Sequence, residues 1–209
     1  MLEIPKFTCD CHRELQRPRI NIACNNWSKE YPYTPSANFS AAYDDQALYL
    51  RFRVIEDCAK ALVGEDQGAV WTDSAVEFFI SFDDTGYYNF EFNCIGRALL
   101  AFRKQKPSPE VASPEVMAMI ERDSTLGSEC FEERYLDAGD KVNWELNVRI
   151  PREVFFRHKI ECFDGLRARG NFYKCGDGLS KPHYLSWSPI DTPAPNFHVE
   201  QFFGDLHFE

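Results

Sequence analysis

Two residues six positions apart carry the first hint of chemistry. Trp71 and Glu77 lie in the stretch VWTDSAVEFFISFD, Val70 to Asp83. Val76, Phe78, Ile80 and Phe82 alternate with Glu77, Phe79 and Ser81. That period of two predicts a strand with an apolar inner row and a carboxylate on its outer row. After the turn signal Asp83-Asp84-Thr85-Gly86, Tyr88, Phe90, Phe92 and Cys94 form a second inner row, with Asn89, Glu91 and Asn93 outside. If the inner rows pack together, the outer rows share a face. Glu77 then stands near Glu91 or Asn93, depending on register, and Arg97 follows on the same face by parity. An aromatic plate beside carboxylates, amides and a guanidinium suits a polyhydroxylated ring. The plate covers the apolar C–H face, and the charged groups bind vicinal hydroxyls. Trp187, in HYLSWSPI, could supply a second plate. The competing reading is a solvated sheet face with a surface ion pair, which is worth little.

Other chemistries find less support. The sequence holds no Gly-rich phosphate loop, no GxSxG and no HExxH. His183 and His198 lie in expected loops without spaced partners and read as surface or turn residues. A glycosidase needs two carboxyls about 5–9.5 Å apart. Asp73 and Glu77 on one strand would be ~13 Å apart at ~3.3 Å per residue. Glu77 and Glu91 could approach each other as acid and base, but on an open sheet face nothing would raise the pKa of either. Cys9-Asp10-Cys11-His12 lacks a second closely spaced pair to complete four zinc ligands, so no metal site and no cofactor are expected.

The net charge of −10 argues against nucleic acid or an anionic membrane as partner, since both need a basic face. The N-terminal MLEIPKFTCDCHRELQ has no apolar run or cleavage site, which predicts a cytoplasmic chain with reduced thiols. Most of the eight cysteines are then expected as buried thiols.

The elements that would position the candidate residues are nearly all strands. ALYLRFRVIE alternates over ten residues, with Leu48, Leu50, Phe52 and Val54 on one side. Ser74–Phe82, Tyr88–Cys94 and Arg97–Arg103 form a meander. Further strands are expected near 39–43, 130–136, 141–150, 166–174, 184–187 and 203–208, with Trp144 in the core. Residues 104–128 break the pattern as an insertion, with a short helix capped by Ser113 and started by Pro114. The whole chain, 1–209, reads as a single all-β domain. Its fold is an antiparallel β-sandwich or jelly-roll-like pair of sheets with one short helical insertion.

VWTDSAVEFFISFD, YYNFEFNCIGRALLAF and the tail GNFYKCGD…PHYLSWSPI…PNFHVEQFFGDLHF resemble the family 9 carbohydrate-binding modules. More closely, they resemble the stand-alone family-9-like proteins common in gut Bacteroidetes. The likeness runs from about Trp27 to Phe208. It implies a β-sandwich related to the DOMON folds and non-catalytic binding of a mono- or oligosaccharide, in the best-known modules at a reducing end between two tryptophans. By motif, Trp71 is the first ring, Glu77 the carboxylate and Arg97 the arginine, with Asn93 beside it. Trp187 is the choice for the second ring, with Tyr173 or Tyr184 as substitutes. Family members often hold structural calcium. Asp44, Asp45, Asp83 and Asp84 offer oxygen ligands, although turn carboxylates bonded to their own backbone are the favoured reading. A lone binding domain could take a small saccharide, assist a glycan-active enzyme in glycan catabolism, or retain a degenerate site and serve as an interaction domain.

Overall fold

The computed structural model describes residues 1–7, 15, 19–104, 108–136 and 140–209. Among these, fifteen strands occur: β1 (Leu2–Ile4), β2 (Ile20–Asn21), β3 (Ser36–Tyr43), β4 (Ala47–Glu56), β5 (Cys58–Ala61), β6 (Ala75–Asp83), β7 (Gly86–Asn93), β8 (Ala98–Arg103), β9 (Glu110–Val111), β10 (Glu121–Ser124), β11 (Phe131–Tyr135), β12 (Val142–Pro151), β13 (Arg167–Cys175), β14 (Tyr184–Ser186) and β15 (Gly204–Phe208). The first sheet runs β1-β15-β13-β6-β7-β8-β9, with β14 paired to β13, and the second runs β10-β12-β4-β3-β2. Every pairing is antiparallel except β1 with β15. The result is the expected β-sandwich.

Alternation builds the core as the sequence predicts. Leu50, Phe52 and Val54 of β4 face Phe78, Phe90 and Phe172 of the other sheet, all fully buried. The rings of Phe39 and Phe172 stack with centroids 3.6 Å apart, and Phe78 stacks on Phe172 at 4.7 Å. Trp144 is buried and donates its indole N–H to Glu56 at 2.6 Å. Glu56 also pairs with Lys174 at 3.0 Å, both fully buried, and Lys174 meets His183 at 2.8 Å. His183 is thus an interior residue, not the surface residue expected. A buried ion pair between the two sheets is costly to break by removing one partner, by roughly 3–5 kcal/mol.

The supposed insertion has a structural role. After β9 on the edge of the first sheet, a helix of one turn (Pro114–Ala118) starts at Ser113, whose hydroxyl accepts from the Val116 N–H. The chain then joins the edge of the second sheet as β10. This segment therefore carries the chain from one sheet to the other. Cys9-Asp10-Cys11-His12 lies outside the described residues. Of the described thiols, Cys58, Cys94 and Cys175 are buried, Cys24 is half-buried, and Cys130 and Cys162 are exposed. Two of the four aspartates weighed as calcium ligands bond groups of their own turns. Asp44 accepts from the N–H groups of Gln46 and Ala47 and from the Tyr49 hydroxyl, and Asp83 accepts from the N–H and hydroxyl of Thr85. Among the described residues no helix is long and apolar enough to cross a membrane.

The largest departure concerns the outer face of the first sheet, whose centre, on β6, β7 and the end of β13, is covered rather than open. Phe79, Tyr87, Tyr173 and Cys175 pack there against Trp27, Ile190, Phe197 and Phe203 from long connecting segments. Trp27 donates to Thr192 O at 2.9 Å, and Tyr173 donates to Phe197 O at 3.2 Å, pinning the cover in place. Polar groups on this face are therefore buried and need partners.

Asp73 shows how the need is met. It is fully buried just before β6. Its carboxylate accepts from Leu62 N–H at 2.9 Å, Val63 N–H at 3.0 Å and the Asn93 side-chain amide at 3.0 Å. Its own N–H closes the 3-10 turn Val70–Thr72 by donating to Val70 O. One residue thus ties the segment after β5 and the end of β7 through its side chain, and the turn that presents Trp71 through its backbone. Asp73→Ala strands two backbone N–H groups and removes one of the two acceptors of the Asn93 amide. A loss of about 3 kcal/mol is expected from roughly 1–3 kcal/mol per stranded buried group. In thermal unfolding this corresponds to a Tm lower by roughly 6–12 °C for a chain of this size. An unchanged Tm would contradict the role given to Asp73.

Candidate functional site

The register of β6 and β7 places Glu77 directly opposite Glu91. Their side chains share the covered outer face, at 4% and 3% exposure. Arg103 ends β8 on the same face, two residues beyond Ala101, which pairs with Asn89. A cavity of 230 Å³ opens above them. Glu77, Glu91 and Arg103 line it from the sheet, Asp177 joins from just beyond β13, and Trp71 and Tyr184 contribute rings. The segment Pro195–His198 completes the lining. The volume lies below the ~300–1,000 Å³ of pockets that take drug-sized ligands, and suits one small polar ring.

Trp71 is held from its backbone. Its carbonyl accepts from Asp177 N–H at 3.2 Å, and Thr72 O accepts from Gly178 N–H at 3.1 Å. A Cβ at position 178 would stand 2.6 Å from Thr72 O, so only glycine permits this approach. Of the four tryptophans, Trp71 alone is exposed, at 36%. Trp27 and Trp144 are buried. A large aromatic ring left open beside a cavity, on a turn fixed this firmly, is the feature that a stacking platform requires.

The carboxyls are wired to the sheet. Glu77 accepts from the Cys175 thiol at 3.1 Å. One oxygen of Glu91, Oε1, accepts from the Asn89 amide at 2.6 Å, and Asn89 in turn accepts from Arg103 Nε at 3.0 Å. The other oxygen, Oε2, has no partner. Burial, reinforced by the neighbouring Glu91, holds the Glu77 carboxyl well above the ordinary carboxylate range. Burial pushes Glu91 up to about 7, opposed by the Asn89 hydrogen bond and by Arg103. Asp177 keeps an exposed side, but desolvation on its cavity side raises it to about 6. The expectation that nothing would raise a pKa here is therefore corrected, because the face is covered.

The structure brings together two of the five residues singled out from sequence, Trp71 and Glu77. Asn93, Arg97 and Trp187 lie elsewhere. Asn93 is buried, with its amide on Asp73 and Val63 O, and its carbonyl oxygen accepts from Arg97 N–H at 2.8 Å. That bond tightens the turn after β7 and sends the Arg97 guanidinium to Ser128 O. Trp187 packs edge-on against Phe39 and Phe172 between the sheets. Of the two tyrosines held as substitutes, Tyr184 lines the cavity and Tyr173 is buried beneath its cover. Arg103 escapes sequence reasoning although a signal exists, since residues 99, 101 and 103 share one face of β8. His198 also lines the cavity, stacked on Phe79 at 5.2 Å and bonded to the Tyr87 hydroxyl at 2.9 Å. Although the residue as a whole is exposed, desolvation of its ring against Phe79 and Tyr87, then Arg103, lowers its pKa to about 4, so it is neutral near pH 7. No period marks the segment that carries it.

Comparison with known proteins agrees with this picture. The chain is similar, at 40% identity and a TM-score of 0.92, to a crystal structure of a candidate carbohydrate-binding protein from Bacteroides uniformis ATCC 8492, covering 100% of this chain and 98% of that one. It shares its fold, at 11% identity and a TM-score of 0.64, with a family 9 carbohydrate-binding module from Caldicellulosiruptor kristjanssonii solved with glucose and with cellotriose. Those alignments cover 100% of this chain and 95% and 93% of the modules. No functionally curated protein matches the sequence significantly. The profile of carbohydrate-binding family 9 matches residues 13–208, and the chain belongs to that family.

Proposed function

We propose that this protein is a non-catalytic carbohydrate-binding protein that takes one sugar ring into the cavity beside Trp71. The observation that carries the reading is that the single exposed tryptophan lines one cavity with two buried, facing carboxyls. In this reading the indole covers the C–H face of the ring. Glu77, Glu91 and Arg103 bind hydroxyls, with Arg103 as donor and the carboxyls as acceptors or, when protonated, donors. Family membership and the sugar complexes of the Caldicellulosiruptor module support the same reading. The small cavity favours a chain end or a free monosaccharide over the middle of a polymer. A role beside a glycan-active enzyme in glycan breakdown fits such a module.

A hydrolase using Glu77 and Glu91 is the weaker reading. Residues directly opposite on antiparallel strands have Cβ atoms about 4.5–5.5 Å apart and point the same way. They form one floor, whereas a glycosidase sets its carboxyls on either side of the scissile bond. Oligosaccharide turnover that disappears in Glu77→Gln would reverse this ranking.

Trp71→Ala is expected to abolish sugar binding in calorimetric titration against mono- and oligosaccharides. Because the ring is partly exposed, it should cost less than about 1 kcal/mol of stability. Unfolding of the variant would instead make the ring part of the core.

The buried carboxyls also set a pH dependence. A carboxyl whose folded-state pKa lies above its unfolded value keeps a proton that the unfolded chain has released. Stability from Glu91 therefore falls as pH rises from the unfolded value, near 4.3, through about 7, and levels off above it. Glutamine cannot ionise. Glu91→Gln should gain thermal stability relative to the parent protein as pH is raised from about 5 to about 8. A Tm difference that does not change with pH would contradict a buried, ionisable Glu91.

A further inference from the structure

We propose that the cavity selects a cationic sugar, a monosaccharide carrying a free amine, over its neutral counterpart. This rests on the sugar-binding reading above and names the class of sugar.

The argument begins with donors and acceptors. A sugar hydroxyl both gives and takes a hydrogen bond, so a site for a neutral sugar mixes donors with acceptors. Here three carboxyls, from Glu77, Glu91 and Asp177, line one small space, with Arg103 as the only cationic side chain among the described lining residues. His198 adds no charge near pH 7, and one of its ring nitrogens is bonded to Tyr87. Lys174 lies on the opposite face of β13, paired with Glu56 at 3.0 Å. Arg103 is itself partly committed, since its Nε donates to Asn89.

A second observation points to a missing donor. Glu91 is 3% exposed, yet its Oε2 has no hydrogen-bond partner, while Oε1 is held by Asn89. A buried acceptor without a donor is expensive in a folded protein. An ammonium group offers three donors and no acceptor. It would satisfy Glu91 Oε2 and draw on its carboxyl neighbours through charge-assisted bonds, the stronger kind. The rings of Trp71 and Tyr184 are also compatible with a cation, because aromatic faces attract positive charge. The groups facing Glu91 are Glu77 from β6, Arg103 from β8, Asp177 beyond β13, and neutral His198. Bringing a cation among them favours their ionised forms, so binding should release protons.

The test is calorimetric titration of the full chain with glucosamine, N-acetylglucosamine and glucose, at about pH 7.5 and about pH 5. Glucosamine is expected to bind at least about tenfold tighter than glucose at the higher pH, the step produced by one added charge-assisted bond. The advantage should shrink at the lower pH, where the carboxyls are protonated, and N-acetylglucosamine should lack it. Glu91→Gln should lower the ratio of glucosamine to glucose affinity. If that variant does not fold, the ratio in the parent protein and its pH course decide alone. Glucose binding as tightly as glucosamine would overturn the cationic selectivity and leave the sugar-binding reading intact. No heat from any of the three would overturn both.

Discussion

The architecture of the site depends on one buried carboxylate. Asp73 has no access to water, so its side-chain oxygens need protein donors, and they find two backbone N–H groups and one amide. Those donors come from the segment after β5 and the end of β7, while the Asp73 backbone closes the turn that carries Trp71. A ring on a connecting turn would ordinarily be free to move. Here the turn is fixed from both sides, by Asp73 and by the Asp177–Gly178 backbone. Preorganisation of this kind reduces the ordering cost of binding. The W-x-D part of the motif is thus mechanical: the aspartate holds what the tryptophan presents.

The second constraint is that the centre of the first sheet, β6, β7 and the end of β13, is buried on both faces. Its inner face is apolar and packs against the other sheet. Its outer face carries carboxyls, amides and a thiol beneath an aromatic cover. Burial of polar groups then forces wiring, seen in the Arg103–Asn89–Glu91 relay and the Cys175–Glu77 contact. The cavity exists where this wiring is incomplete. Burial also explains why the carboxyls hold protons near neutrality, which an open sheet face would not produce.

Much of the frame was legible because alternation is a strong signal. The period of two in β4, β6, β7 and β12 placed Phe52, Phe78, Phe90 and Trp144 correctly in the core, and Ser113-Pro114 marked the helix start. Trp71 and Glu77 were legible as site residues through their spacing and the parity of β6. What escaped has physical reasons. The cover over the outer face comes from segments without a repeat, so neither the burial of Glu91 nor the position of His198 could be read from pattern. Parity offered both Arg97 and Arg103, and only the tight turn closed by Asn93 separates them. Trp187 carries the same side chain as Trp71, but the bend after β14 turns it inward against Phe39 and Phe172. Short strands such as β9 and β10, two and four residues long, are specified by their neighbours more than by their own sequence.

The most direct measurement of the central claim is the NMR spectrum of the four indole N–H groups during titration with a monosaccharide panel that includes neutral and amino sugars. Trp71→Phe assigns one of the four signals. The account expects that signal to shift with saturation, while those of Trp27, Trp144 and Trp187, held in the interior or packed against it, stay nearly still. A panel that moves none of the four, or that moves Trp187 and leaves Trp71 unmoved, would contradict a sugar site beside Trp71.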